Sequence, residues 1–136
     1  MQVLNYKTAS GIINTIISEL EKRNKQAIVA VTDAHGELIA FMRMENTKFP
    51  SINIAINKAY TAARSQRATS ELGKASRDSE KGYDLSFYGD SRFTGFGGGY
   101  PIKQKDKVVG GVGVSGLSQE EDEELAILGV KFFIGD

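Results

Sequence analysis

Eight of the fifteen glycines fall between residues 95 and 116, in two groups: Gly95, Gly97, Gly98 and Gly99, then Gly110, Gly111, Gly113 and Gly116. Glycine lets a backbone take positive φ and lets another group approach to contact distance, and it weakens a strand that carries it. A glycine-dense strand therefore needs a neighbour that uses the missing Cβ atoms. One is available: a helix opening at Pro50-Ser51, with Ile52, Ala55, Ile56, Ala59, Ala62 and Ala63 along one face. Close packing of that alanine face on a strand is the structural reading of the second group. For the first group two readings stand side by side, a tight turn and a loop whose amides face a ligand.

The rest of the chain follows from periodicity. Ile12, Ile13, Ile16, Ile17 and Leu20 recur at helical spacing and predict a helix over 7–24, capped by Thr8 or Ser10. Two β-branched runs, 27–32 and 37–44, flank Asp33-Ala34-His35-Gly36, a type I turn pattern, and predict a hairpin. Ser51 is placed as N-cap of the alanine helix, and a short helix starts at Thr69. Residues 73–100 are polar and then rich in glycine and aromatics, a long connection of the kind that is functional or poorly ordered. A second hairpin, 100–103 with 108–114, turns at Lys105-Asp106, and Ser118 with Glu121 forms a capping box for the last helix. The glycine-rich last strand is placed centrally. The order α, β-β, α, loop, β-β, α predicts one α+β domain over 1–136, an antiparallel sheet covered by helices.

Seventeen Lys and Arg balance seventeen Asp and Glu, so phosphate attraction is weak and a nucleic-acid partner is not expected. Without cysteine, disulfides, thiolate catalysis and Cys-zinc sites are impossible, and one histidine excludes a His-rich metal centre. No apolar run approaches the ~20 residues of a membrane span. The first residues carry no basic-then-apolar pattern, so the expected location is the cytoplasm.

Several motifs invite chemistry. Gly111, Gly113 and Gly116 have the spacing of the dinucleotide fingerprint, but only twenty residues follow and they read as one helix, so no second strand completes a βαβ unit. The acidic run Glu120–Glu124 reads as a solvated first helical turn favoured by the dipole, and no metal site is assigned. His35 reads as an exposed turn residue, and Ser115 has no visible base to make it a nucleophile. Arg43 and Glu45 share a strand face, while Lys58 and Arg64 flank the alanine stripe. They are candidates to hold a ligand carboxylate, the alternative being a surface ion pair.

Four segments together resemble the GlcG/HbpS family, which includes the C-terminal domain of PduO: Val31 to Met44, Ser51 to Arg64, Gly97 to Ile102, and Val109 to Gly116 before an acidic helix start. The resemblance covers about residues 5–130. It implies a profilin-like fold, one antiparallel sheet of about five strands flanked by helices, and homo-oligomers from dimers to octamers. It implies haem or a related tetrapyrrole as ligand for some members and haem degradation for others. Still others accompany glycolate, propanediol or glycerol operons without a defined activity. The pocket motifs fall here on Arg43, Glu45, Ser51, Lys58, Gly97 to Ile102 (Pro101 among them), Ser115 and Gly116. The family usually has glycine where this chain has His35, so His35 is not an inherited ligand. The secretion signal and acidic iron-binding segment of the secreted haem sensor are not seen, and residues 73–96 are longer than the family pattern.

Three functions remain open at this point. The first is a self-associating binder of a small carboxylate-bearing molecule, haem or another tetrapyrrole. In it Gly97, Gly98 and Gly99 supply amides, Arg43, Lys58 or Arg64 the countercharge, and Phe93, Phe96 and Tyr100 an apolar wall. The second is an enzyme acting on a small metabolite or degrading haem. The third is an oligomeric scaffold without ligand, suggested by the apolar Phe132, Phe133 and Ile134.

Overall fold

The computed structural model describes residues 2–135. In chain order it runs α1 (Tyr6–Lys22), β1 (Ile28–Asp33), β2 (Leu38–Arg43), α2 (Pro50–Ser65) and α3 (Thr69–Ser76). A single 3-10 turn (Leu85–Tyr88) follows, then β3 (Gly99–Gln104), β4 (Lys107–Ser115) and α4 (Gln119–Ile134). The four strands form one antiparallel sheet in the order β2-β1-β4-β3, so the glycine-rich β4 is interior as expected. The fold class is α+β, with four strands rather than about five. Residues 73–98 cannot build the fifth, because Thr94 is their only β-branched residue. They form α3, the 3-10 turn and a loop instead.

The period of two divides the sheet. Val29, Val31, Ile102, Val112 and Val114 face α1 and α4, where Ile12, Ile16, Leu20, Leu125, Val130 and Phe133 complete the main core. Ile28 and Ala30 face α2 and meet Ala55 and Ala59. Gly111 and Gly113 also lie on the α2 side, and Gly99 pairs with Gly113 across the ladder. A Cβ on Gly113 would penetrate the Ala55 carbonyl oxygen and stand 2.7 Å from the Ala59 nitrogen. One on Gly111 would penetrate the Ala59 carbonyl, and one on Gly99 the Lys58 carbonyl. Helix α2 therefore rests its backbone on a patch of sheet with no side chains.

Local signals account for the element ends, with three differences. Asn5, not Thr8 or Ser10, caps α1: its side chain accepts from the Lys7 and Thr8 amides, and Thr8 reciprocates to the Asn5 amide at 2.8 Å. Helix α2 starts at Pro50, whose missing N–H and fixed φ suit a first helical position, so Ser51 lies inside the helix and does not cap it. Ser118 does cap α4, but Glu121 does not return the bond. Its carboxylate reaches back to Lys25 at 2.7 Å and Arg23 at 3.0 Å, tying α4 to the end of α1. Lys25 and then Arg23 hold the Glu121 carboxyl below its ordinary range. Both Asp33-Gly36 and Lys105-Asp106 are turns, the latter with positive φ at both residues, the primed hairpin geometry. The outer edge of β3 is blunted, since Gly99 donates to Thr69 Oγ1 at 2.9 Å and Pro101 has no N–H. Among the described residues no helix is long and apolar enough to cross a membrane.

Candidate functional site

Beyond Ser115 the chain leaves the sheet through Gly116, at φ +135°, and turns into the cap of α4. This end of β4 meets the first two turns of α2 and the first turn of α4. Ser51 and Lys58 stand seven residues apart and share a helix face. Ser115 is two residues beyond Gly113 and so shares the α2 side of the sheet. Between these elements lies a recess of about 280 Å³, lined by Ser51, Ile54, Lys58, Ser115, Gly116, Leu117, Gln119 and Asp122, with Lys48 and Phe96 completing the lining.

Its deepest feature is an ion pair. Lys58 and Asp122 are each only 2 % exposed. Lys58 Nζ donates to Asp122 Oδ2 at 3.1 Å and to the Val114 carbonyl at 2.8 Å, while Asp122 Oδ1 accepts from the Leu117 amide at 3.1 Å. Burial, opposed by the neighbouring Asp122, pushes the Lys58 ammonium below the usual lysine range. Burial, opposed by Lys58, likewise pushes the Asp122 carboxyl up. Beside the pair stand two hydroxyls. Ser51 is 9 % and Ser115 4 % exposed; neither side chain bonds to another group among the described residues, and because no buried side-chain oxygen there lacks a partner, both hydroxyls reach the open surface of the recess. Gln119 accepts the Gly97 amide at 2.8 Å through Oε1, which leaves its NH₂ group as a donor.

The glycine loop is built differently from the expected amide cradle. The Gly97 amide is spent on Gln119 and the Gly99 amide on Thr69, while the Gly98 carbonyl accepts from Val114 at 2.9 Å. A Cβ on Gly98 would lie 2.6 Å from the Val114 oxygen, 2.7 Å from Lys58 Nζ and 2.9 Å from Asp122 Cβ, at a backbone φ of +128°. Position 98 is glycine because the Lys58–Asp122 pair and the Val114 carbonyl lie against it, at a φ that disfavours a side chain.

Of the residues singled out from sequence, Ser51, Lys58, Phe96, Ser115 and Gly116 come together in the recess, Phe96 as an exposed rim. Gly97 lines an adjoining hollow of about 220 Å³ with Ser70, Lys74, Arg77 and Gln119. Pro101 lines a separate cleft of about 300 Å³ between β3, α3 and α4. Arg43 is in the same row as Ser115, with Ile28 between them, but it is exposed and lies outside the lining, as does Glu45. Arg64 points to the other end of α2, donating to the His35 carbonyl at 3.2 Å and lying 5.2 Å from the centre of the Tyr60 ring. Phe93 stacks edge-on against Tyr60 rather than walling the recess. The acidic run is solvated only in part: Glu120 and Glu124 are exposed, but Asp122 is buried, Glu121 and Glu124 pair with Arg23, and Glu123 accepts from Ser70 Oγ.

The family model described as "Haem degrading protein HbpS-like" matches residues 4–131. The chain belongs to the HbpS-like family. Within it, the chain is 36% identical over 103 residues to an uncharacterised 15.0 kDa protein of the dhaT–dhaS intergenic region of Citrobacter freundii, covering 76% of this chain and 72% of that one. It is 32% identical over 120 residues to protein GlcG of Escherichia coli K12, covering 83% and 81%. The crystal structure of a PduOC–haem complex superposes with a TM-score of 0.86 at 26% identity, over 95% of this chain and 94% of that one. The GlcG/HbpS resemblance and its α+β fold therefore hold.

Proposed function

We propose that this protein binds a small carboxylate-bearing molecule in the recess between α2, β4 and α4, with haem or another tetrapyrrole among its ligands. The observation that carries this reading is an open recess whose wall presents two serine hydroxyls, bonded to no other group among the described residues, beside a buried lysine. Both hydroxyls open onto the recess, where a ligand oxygen can take the place of the water they would otherwise bind. A ligand oxygen placed there meets Ser51, Ser115 and the Gln119 NH₂, while Ile54, Leu117 and Phe96 offer apolar contact. About 280 Å³ takes in a small metabolite or one carboxylate-bearing edge of a macrocycle. The haem complex of the PduO relative supports the second. The lining fits that edge but contains no histidine, methionine or tyrosine, and His35 lies at the exposed hairpin tip, so the recess offers a haem iron none of those axial ligands.

Titration with haem followed in the Soret region tests the proposal. A saturable change is expected, and Ser51→Phe, which puts a ring into the recess, is expected to weaken it at least tenfold. No saturable change, or one indifferent to Ser51→Phe, counts against it. Gly98→Val is unsuitable here because its side chain would displace the Lys58–Asp122 pair.

Self-association in the cytoplasm belongs to the same reading. Phe133 is in the core, but Phe132 and Ile134 are exposed on α4, Leu38 and Met42 on the edge strand β2, and Phe49 at the start of α2. Light scattering at micromolar concentration is expected to give a dimer or larger; a monomer would remove this part.

A further inference from the structure

We propose that Lys58 is a carbonyl-capturing amine: the recess admits a small aldehyde or 2-oxo acid, whose carbonyl carbon condenses with Lys58 Nζ to form a Schiff base. The proposal rests on the recess being a ligand site, but not on haem binding.

Position is the first argument. Lys58 and Asp122 are charged residues buried to the same degree, and they lie at the wall of an open recess rather than in the closed core. Holding two ions out of water is costly, and well-packed apolar residues commonly stabilise such a position at least as well. A pair that bordered no cavity would be only a link between helices. This one faces a space that a small molecule fills.

Proton bookkeeping is the second. Nζ and Asp122 Oδ2 are joined by one hydrogen bond, at 3.1 Å. Passing a proton along it leaves a neutral amine beside a carboxylic acid, with no change in the net charge of the site. Burial favours that exchange for both partners. The result is a nucleophile with its acid already in place.

The third argument is the donor set. Ser51 Oγ and Ser115 Oγ open onto the recess and bond to no other group among the described residues, so both can donate to a carbonyl oxygen that displaces their water. Because Lys58 and Asp122 cancel in charge, an uncharged oxygen enters the floor without an unbalanced charge. A carboxylate on the same molecule is left at the mouth, where Lys48 is exposed.

The step balances with these groups alone. The Nζ lone pair attacks the carbonyl carbon, and the C=O π pair moves to oxygen, which takes the Asp122 proton. Nitrogen returns one proton to the Asp122 carboxylate, leaving a neutral carbinolamine. Asp122 then protonates the carbinolamine hydroxyl, the C–O bond breaks to release water, and the nitrogen lone pair forms the C=N bond. The product is an iminium paired with the Asp122 carboxylate, so the buried ion pair is regenerated with carbon attached.

The test is reductive trapping on the wild-type protein. Pyruvate and acetaldehyde are each supplied with cyanoborohydride, and modified lysines are located by peptide mass spectrometry. Lys58 is expected to be modified at least tenfold faster than the average of the exposed lysines in the folded protein, with the preference lost in urea. Asp122→Asn, checked for folding by circular dichroism, is expected to slow Lys58 modification at least tenfold without changing the exposed lysines. Should that variant not fold, the comparison of folded with urea-unfolded wild type decides alone. If Lys58 reacts no faster than exposed lysines with either probe, the proposal is overturned. The haem titration is read by a different signal, so failure of one leaves the other standing.

Discussion

Gly113→Val is expected to destabilise the protein by about 3 kcal/mol, the upper end of ordinary overpacking, and to lower Tm by roughly 10 °C for a chain of this size. The severity comes from what the new side chain meets. A Cβ at Gly113 would run into the Ala55 carbonyl oxygen and approach the Ala59 nitrogen at 2.7 Å. Both belong to the backbone of α2 and cannot swing aside as a side chain does. The helix would have to lift off the sheet, exposing Ala55, Ala59, Ile28 and Ala30 together. Urea denaturation with an unchanged m-value measures the loss. A fall in Tm of only ~1–2 °C would mean that α2 is free to back away, and that the glycine stripe is not a packing device.

That stripe was legible in the sequence because both halves of the contact are compositional: alanines at helical spacing and glycines at strand spacing. The first helix and both hairpins were legible from period and turn chemistry. What was not legible depended on which neighbour each residue meets. Arg43 and Glu45 have suitable side chains and share a face, yet β2 is an edge strand and they end in solvent. Arg64 is six residues beyond Lys58, about one and two-thirds turns, and that rotation carries it to Tyr60 and His35. Residues 83–96 are held to α2 by contacts between distant parts of the chain: Tyr60 bonds Asp90, and the Arg92 guanidinium lies 3.7 Å over the Tyr60 ring. No local pattern announces such a brace. Asp122 is different, because a signal existed. Counting along α4, Asp122, Leu125, Ala126, Gly129, Val130 and Phe133 form one buried face. A carboxylate on an apolar stripe demands a buried cation, whereas reading the acids as a block concealed it.

Removing either member of the buried pair is expected to cost about 3–5 kcal/mol, because the remaining charge is left buried without its partner. Lys58→Met strands the Asp122 carboxylate, with only the loop amides before α4 to compensate it. Asp122→Leu strands the ammonium against the Val114 carbonyl alone and releases the Leu117 amide. The double variant Lys58→Met/Asp122→Leu strands neither charge, so it is expected to recover about 2 kcal/mol or more of the sum of the single losses. Urea unfolding of the four proteins closes this cycle. Additive losses would mean that the two groups do not interact in solution, and the site would then lose its central feature. Recovery has a second consequence. The double variant regains its fold but has neither amine nor acid in the recess, so reductive trapping at this position must be absent from a protein that is otherwise intact. Stability and carbonyl capture are thereby separated. A merely structural ion pair can be replaced by apolar side chains, as Met and Leu do here, whereas a reactive amine has no hydrocarbon substitute.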